Sequence, residues 1–359
     1  MFALIAVGGY NLRDSLINRA RKREVEKQPP RISVIIVNYN GLSYLDTCLS
    51  SVLRQDYPDY EVIFVDNAST DGSLEYIRAK YPGLIFIANS VNTGYSGGVN
   101  AGLAIARGEY VVPLNMDTEV AENWLSELVK FMDAHPLAGA ACPKVLILGQ
   151  PGVINCTGLN LHVSGLGFCR QLHHHDQPGG EPQPVNGISG CSYMIKADLL
   201  RRMGGAPEYC FMYNDDVVIS WLLALMGYKL YYLPSSVIYH RYRLSMTPEK
   251  FYHLEKNRIY LMLSIFHWHT ALLLSPLLLA IEAAIFVYSV IKGWPYPRSK
   301  MGAYLAAFRE RKYIGRLRRF YATLRRVSDW ELLRVMSWNL EWEQLFGIVR
   351  YRFREGPRV

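Results

Sequence analysis

None of the six cysteines (Cys48, Cys142, Cys156, Cys169, Cys191 and Cys210) sits in a Cys-x-x-Cys spacing, which argues against a zinc knuckle. Several lie inside apolar runs and read as buried thiols, which suits a reducing compartment. The chain also lacks a Gly-x-Gly-x-x-Gly fingerprint, so a nicotinamide dehydrogenase is disfavoured. No basic residue occurs in Asn38-Tyr39-Asn40-Gly41-Leu42, directly after the first strand-like run. That argues against a nucleotidyltransferase, which needs a cationic loop there. The formal net charge is +8, but no nucleic-acid module accompanies it, so nucleic acid is not an expected partner. The apolar stretch Met1 to Val7 has no positive region before it and is too short to span a bilayer.

What is present is an α/β pattern. Near-continuous Val and Ile runs predict strands at 32–38, 61–66, 84–88 and 110–114, buried on both faces. Helices are expected over about 42–54, 71–80, 97–107 and 121–134, the first from Leu42, Leu45, Leu49 and Val52. Such alternation predicts a sheet with right-handed crossovers. From 139 to 240 the sequence becomes rich in strands and loops. It contains the run 185–196, a short helix near 198–203, a helix opening at Asp215-Asp216, and a strand from 228 that closes at His240. His173, His174 and His175 read as a polar loop or, alternatively, a metal site.

The ends of the chain differ in kind. Residues 1–30 read as a basic amphipathic leader, with Leu12, Leu16 and Ile17 beside Arg19, Arg21, Lys22 and Arg23, or alternatively as a poorly ordered terminus. Leu272 to Ile291 is strongly apolar but interrupted by Pro276 and Glu282. It is long enough to cross a bilayer, yet a charge in mid-span is costly unless paired. Three readings stay open: a helix docked on the membrane face, a true span, or a buried soluble helix. Arg309, Arg311, Lys312, Arg316, Arg318, Arg319, Arg325 and Arg326 follow, which fits an anionic cytosolic leaflet.

Strand ends carry the candidate chemistry. Ligands of open parallel sheets bind beyond the carboxyl ends of the strands, where this chain has Asn40, Asp66 and Asp117. Asp66 and Asn67 precede the turn that runs to Asp71 and can take hydrogen bonds from a base or a ribose. Asn92-Thr93-Gly94-Tyr95-Ser96-Gly97-Gly98-Val99-Asn100 is a glycine-rich helix entry that would suit a phosphate, or be a plain helix start. Asp117, beyond Asn115-Met116, could hold Mg²⁺ or Mn²⁺. Asp215-Asp216 could supply a general base or merely face a helix dipole. His240 is either structural or a late metal ligand.

In their order, Val37-Asn38-Tyr39-Asn40, Val65 to Ser73, Asn92 to Gly102, Leu114-Asn115-Met116-Asp117, Tyr213-Asn214-Asp215-Asp216 and the terminal His240 resemble family 2 glycosyltransferases. The similarity is greatest to their rhamnosyltransferase-like branch and covers about 31–265. It implies a GT-A fold, a mixed sheet flanked by helices, and inverting transfer from a UDP-, dTDP- or GDP-sugar. Residue by residue, it implies nucleotide contacts from Asn38, Asn40, Asp66, Asn67, Asn92, Gly94, Asn100 and Asn115. Asp117 matches the second acid of an Asp-x-Asp metal motif whose first acid is here Asn115. Asp216 matches the catalytic base, with Asp215 in place of Glu, and His240 matches a metal-side histidine. Val218 and Leu222 stand where the branch often has Asp and Arg.

The expected organisation is therefore a leader (1–30), a catalytic domain (31–265) and a helical membrane-associating region (266–359). A saccharide or lipid-linked saccharide is the expected acceptor. The expected location is the cytosolic face of a membrane, attached peripherally or by one helix. The competing reading is a non-catalytic membrane-associated scaffold that keeps the fold.

Overall fold

The structure, a computed structural model, describes residues 28–242, 245–341 and 344. Apart from residues 28–30, the expected basic leader lies outside them. Four parallel strands form one half of the main sheet: β1 (Ile32–Asn38), β2 (Tyr60–Asp66), β3 (Ile85–Ala88) and β4 (Tyr110–Asn115), in the order β4-β1-β2-β3. Their crossovers carry α1 (Leu42–Val52), α2 (Ser73–Lys80) and α3 (Gly94–Ile105). Every residue of β1 is buried, as a strand covered on both faces must be. The parallel register sets Asn38 opposite Asp66 and Val37 opposite Asn115. Three strand ends are thereby level.

The second half extends the sheet and makes it mixed. Its elements are β5 (Thr118–Val120), α4 (Trp124–Ala134), β6 (Ala138–Ile147), β7 (Ile154–Cys156), β8 (Leu159–Leu161), β9 (Gly167–Cys169), β10 (Gln183–Val185), β11 (Met194–Lys196), α5 (Ala197–Arg202), α6 (Asp215–Leu225) and β12 (Lys229–His240). β11 runs antiparallel between β4 and β6, and β12 lies parallel to β6. β5 pairs with the end of β12, which brings Thr118 opposite His240. The run 185–196 is not one strand; it is two short ones joined by a loop. α3 begins at Gly94, earlier than its glycines suggest, because those glycines are where it packs on β1.

Five helices follow: α7 (Pro248–Ile265), α8 (Trp268–Lys292), α9 (Pro295–Arg309), α10 (Arg311–Leu324) and α11 (Asp329–Val335). α8 contains the apolar run, with Pro276 inside it. Proline cannot donate to the carbonyl one turn back. Here Ser275 Oγ donates to that carbonyl, Leu272 O, at 2.7 Å. Glu282 is paired. Arg258 of α7 and Lys300 of α9 both bind it, Lys300 Nζ at 2.6 Å, and the Tyr304 hydroxyl donates to it. Glu255 completes the cluster by binding Arg258 at 2.7 Å and also Lys300. Two acids and two bases from three helices thus share one buried site.

Burial opposes the charge on both carboxyls. Arg258 and Lys300 outweigh it, holding Glu255 below its ordinary range and Glu282 down to about 2. The contribution of these depressed groups is complete above their ordinary 4.5 and is lost as pH falls through the lower folded values. Lys300→Met should destabilise the fold by about 3–5 kcal/mol, because it leaves two buried carboxylates to share one cation, Arg258. Lys80→Met, at the exposed pair with Asp46, should leave the thermal midpoint where it is. Thermal unfolding of the two variants at neutral pH checks this.

Candidate active site

The nucleotide-side candidates form a self-bonded floor. Asn38 Nδ2 donates to Asp66 Oδ1 at 2.9 Å, Ser69 Oγ at 3.0 Å and Ser73 Oγ at 2.8 Å. Asp66, 1% exposed, also accepts from Ser69 N–H at 3.0 Å. Asn40 adopts a left-handed backbone and accepts from Thr70 N–H at 2.8 Å. These bonds shape the 66–72 turn at the mouth of β1 and β2. Asn67 reaches sideways: its amide donates to Gly94 O at 2.8 Å and accepts from Asn89 and Thr93.

The glycine-rich helix is built for contact with its own chain. A Cβ at Gly98 would overlap Val37, and one at Gly102 would lie 2.5 Å from Ile35. At the helix start, Gly94 N–H donates to Asn92 Oδ1 at 2.9 Å and Tyr95 N–H donates to Phe211 O at 2.8 Å. These two amides therefore face protein acceptors. Asn100 is likewise engaged elsewhere: both its amide atoms bond Ala206, at 2.9 and 2.7 Å.

The remaining candidates converge around the loop Ser189-Gly190-Cys191-Ser192. Asp216 Oδ2 accepts from Gly190 N–H, and its Oδ1 from Val217 N–H, both at 2.8 Å. Asn115 N–H donates to Cys191 O at 3.0 Å. Cys191 Sγ lies 3.5 Å from His240 Nδ1, and Asn155 Oδ1 lies 2.8 Å from the same nitrogen. On the other side of the ring, His240 Nε2 is 3.5 Å from Asp117 Oδ1. Base candidate and metal candidates thus flank one short loop at the carboxyl ends of β4 and β12.

Electrostatics separate the two acids of α6. Burial, then the neighbouring Asp216, pushes Asp215 up to about 8. Its Oδ2 is buried without a hydrogen-bond partner. Asp216 is raised to about 6 by burial, with the Val217 and Gly190 amides pulling it down. The two backbone amides on Asp216, against the unpartnered Oδ2 of Asp215, favour the negative charge on Asp216. Burial lowers His240, but Cys191 and Asp117 raise it well above its ordinary value.

Presentation of the acid pair requires strain. Tyr213 and Asn214 are successive non-glycine residues with φ of 61°, a costly state that persists only when its surroundings enforce it. Asn257 of α7 enforces it, donating to Met212 O at 3.0 Å and Tyr213 O at 2.9 Å, while Asn214 donates to Leu254 O. Sequence reasoning missed Asn257, Gly190, Cys191 and Asn155. The run of small residues at 189–192 was the one available signal.

Other candidates lie apart. Val218 and Leu222 are buried in the core. The 173–175 histidines sit in a loop fixed by backbone bonds to β7, such as His173 N–H to Ile154 O. Among the described residues, the one cluster of three potential metal ligands is His267, His269 and Asp329, where Arg325 already pairs with Asp329 at 2.7 Å.

Residues 33–155 match the model of the glycosyl transferase family 2. A poly-beta-1,6-N-acetyl-D-glucosamine synthase of Staphylococcus epidermidis is 25% identical over 247 residues, covering 68% of this chain and 56% of the relative. An uncharacterized glycosyltransferase of Nostoc sp. is 37% identical over 128 residues, covering 35% of this chain and 40% of the relative. The chain spans about half the length of the curated relatives it matches. A crystal structure of GalNAc-T7 with UDP, GalNAc and Mn²⁺ aligns with TM-score 0.56 at 21% identity, over 68% of this chain and 50% of that one. At that identity the likeness concerns the fold, a mixed sheet of GT-A type.

The close packing of α3 on β1 makes a sharp expectation. Gly98→Ala should cost about 1–3 kcal/mol by overpacking against Val37. It should also weaken nucleotide binding, because Val37 precedes Asn38 in β1. Ala101→Gly, on the same helix but half-buried, should cost about 1 kcal/mol through helix propensity and leave binding unchanged. Chemical unfolding and UDP titration of both variants check this.

Proposed function

We propose that this chain is a family 2 glycosyltransferase that moves a sugar from a nucleotide-diphosphate donor to a hydroxyl of a saccharide acceptor, with inversion. The convergence of Asp216, Asp117 and His240 on the Gly190-Cys191 loop, beyond level strand ends, is the observation that carries the reading. The floor formed by Asn38, Asn40 and Asp66 is where a base and ribose would rest. Asp216 takes the proton of the acceptor hydroxyl as that oxygen attacks the anomeric carbon. The bond to the diphosphate oxygen breaks on the opposite face, so one displacement inverts the centre. The backbone amides of Gly190 and Val217 favour Asp216 as the charged member of the pair.

Asp117 Oδ1 and His240 Nε2 suit a divalent cation: a hard oxygen and an imidazole nitrogen, 3.5 Å apart and both partly exposed. The imidazole favours Mn²⁺ over Mg²⁺, which prefers oxygen ligands. When bound, such a cation supplies charge neutralisation for a departing diphosphate. A UDP-sugar is the first donor to test, ahead of dTDP- and GDP-sugars, in view of the UDP and Mn²⁺ in the GalNAc-T7 structure.

The helices after 266 are proposed to hold the enzyme on the cytosolic face of a membrane, near a lipid-linked acceptor. α8 is long and apolar enough to cross a bilayer. Its packing favours lying in the plane instead. Thr270, Leu274, Ile281 and Ser289 face the protein, while Leu272, Leu273, Leu279, Phe286, Val287 and Val290 are exposed. Glu282 ties the middle of α8 to α7, which also supports the active-site loop through Asn257. α9 continues the exposed apolar surface with Met301, Leu305 and Phe308. Arg309, Arg311, Lys312, Arg316, Arg319 and Arg326 are exposed nearby, suited to anionic headgroups. Arg318 and Arg325 serve the protein itself, capping α7 at Phe266 O and Ile265 O. The division at 265–266 is thus proposed as one of function, since these helices pack back on the catalytic part.

Asp216→Asn should abolish transfer while leaving donor binding near normal. In the wild type, kcat/KM should rise with pH through about 6, as Asp216 ionises. Turnover of candidate donors by the variant at a wild-type rate would remove Asp216 from the role. For the membrane, Leu273→Glu with Val290→Glu should prevent flotation of the full chain on anionic liposomes and leave UDP binding intact. Flotation equal to wild type would place the contact elsewhere.

A further inference from the structure

His240 can meet a cation through Nε2 only if that nitrogen keeps its lone pair. In a neutral imidazole one nitrogen bears the proton, and the partner of the other nitrogen decides which. The 2.8 Å contact between His240 Nδ1 and Asn155 Oδ1 is therefore informative. An amide oxygen can only accept, so the proton belongs on Nδ1 and the lone pair on Nε2, the side of Asp117. We propose that Asn155 is a positioning residue that selects the metal-binding nitrogen of His240. This rests on the reading of Asp117 and His240 as the cation seat.

The backbone around Asn155 is built for the task. β7 pairs with β6 through Cys156 opposite Val145 and Ile154 opposite Leu146, with a register shift between them. Asn155 is the residue that shift leaves over. A β-bulge of this kind re-aims a side chain beside a site. The same β6 pairs with β12 on its other edge, Ile147 opposite His240, so the bulge and the histidine are held by one strand. Asn155 is 2% exposed, which keeps water from competing for Nδ1. Cys191 Sγ, at 3.5 Å, touches the same nitrogen at a longer range and is secondary. Partners of this sort behind a ligating histidine commonly set metal affinity by about 10–100-fold.

The test uses the full chain and Mn²⁺ alone, followed by the loss of the free-ion EPR signal. His240→Ala should lose the site. Asn155→Ala should weaken Mn²⁺ binding by about 10–100-fold, Asn155→Asp should retain it because a carboxylate also accepts from Nδ1, and Cys191→Ala should retain it. Long-range ¹⁵N–¹H spectra of ¹⁵N-histidine-labelled wild type, at a pH where His240 is neutral, should show its proton on Nδ1. That measurement decides the matter even if Asn155→Ala fails to fold. A neutral His240 protonated on Nε2, or Mn²⁺ binding by folded Asn155→Ala equal to wild type, overturns the proposal. Absence of any His240-dependent Mn²⁺ site in the wild type would instead overturn the cation seat itself.

Discussion

The parallel register of β1 with its two neighbours is the constraint on which the candidate site depends. It sets Asn38 opposite Asp66 and Val37 opposite Asn115. A slip of one residue would reverse the face of every side chain in β1 and break all three bonds of the Asn38 amide. The register is protected by burial, since all of β1 is enclosed. It is protected again by α3, whose Gly98 and Gly102 sit directly on Val37 and Ile35. The glycines therefore act on the site at one remove, by fixing the strand that carries its floor.

The second half of the molecule supplies chemistry to that floor from distant positions. Asp216 arrives through a left-handed pair of residues, His240 through a long strand, and Gly190-Cys191 through a loop between them. Each placement relies on a partner far away in the chain. Asn257 binds the backbone before Asp215, and Asn155 binds the ring of His240. α7, which carries Asn257, also carries Glu255 and Arg258 of the buried ion cluster. The apolar α8 is thereby tied to the same helix that stabilises the acid pair. A change in the apolar α8 can reach the backbone before Asp215 through this one element.

Legibility followed the range of the interactions. Strand and helix positions in the first half were readable because apolar periodicity is local. The helix 71–80 began late, at Ser73, because Gly72 takes a left-handed turn and Asp71 binds the Leu42 and Ser73 amides. Asp66, Asp117, Asp216 and His240 were legible because acids and histidines at strand ends and helix starts are rare enough to notice. The bonds of Asn100 to Ala206 were not legible, because residue type alone does not say which distant backbone an amide meets. Asn155 was invisible, since a bulge depends on the strand opposite.

By itself the sequence determined an α/β core, three polar strand ends, an acid pair at a helix start and an apolar segment interrupted by Glu282. These depend on local pattern and composition. Only the tertiary structure decided what each feature touches. It paired Glu282 with Arg258 and Lys300, turned Asn100 toward Ala206, and brought Asn155 and Cys191 to His240. Those contacts join residues from 18 to 106 positions apart. Their geometry comes from the packing of sheet and helices, which no local pattern encodes.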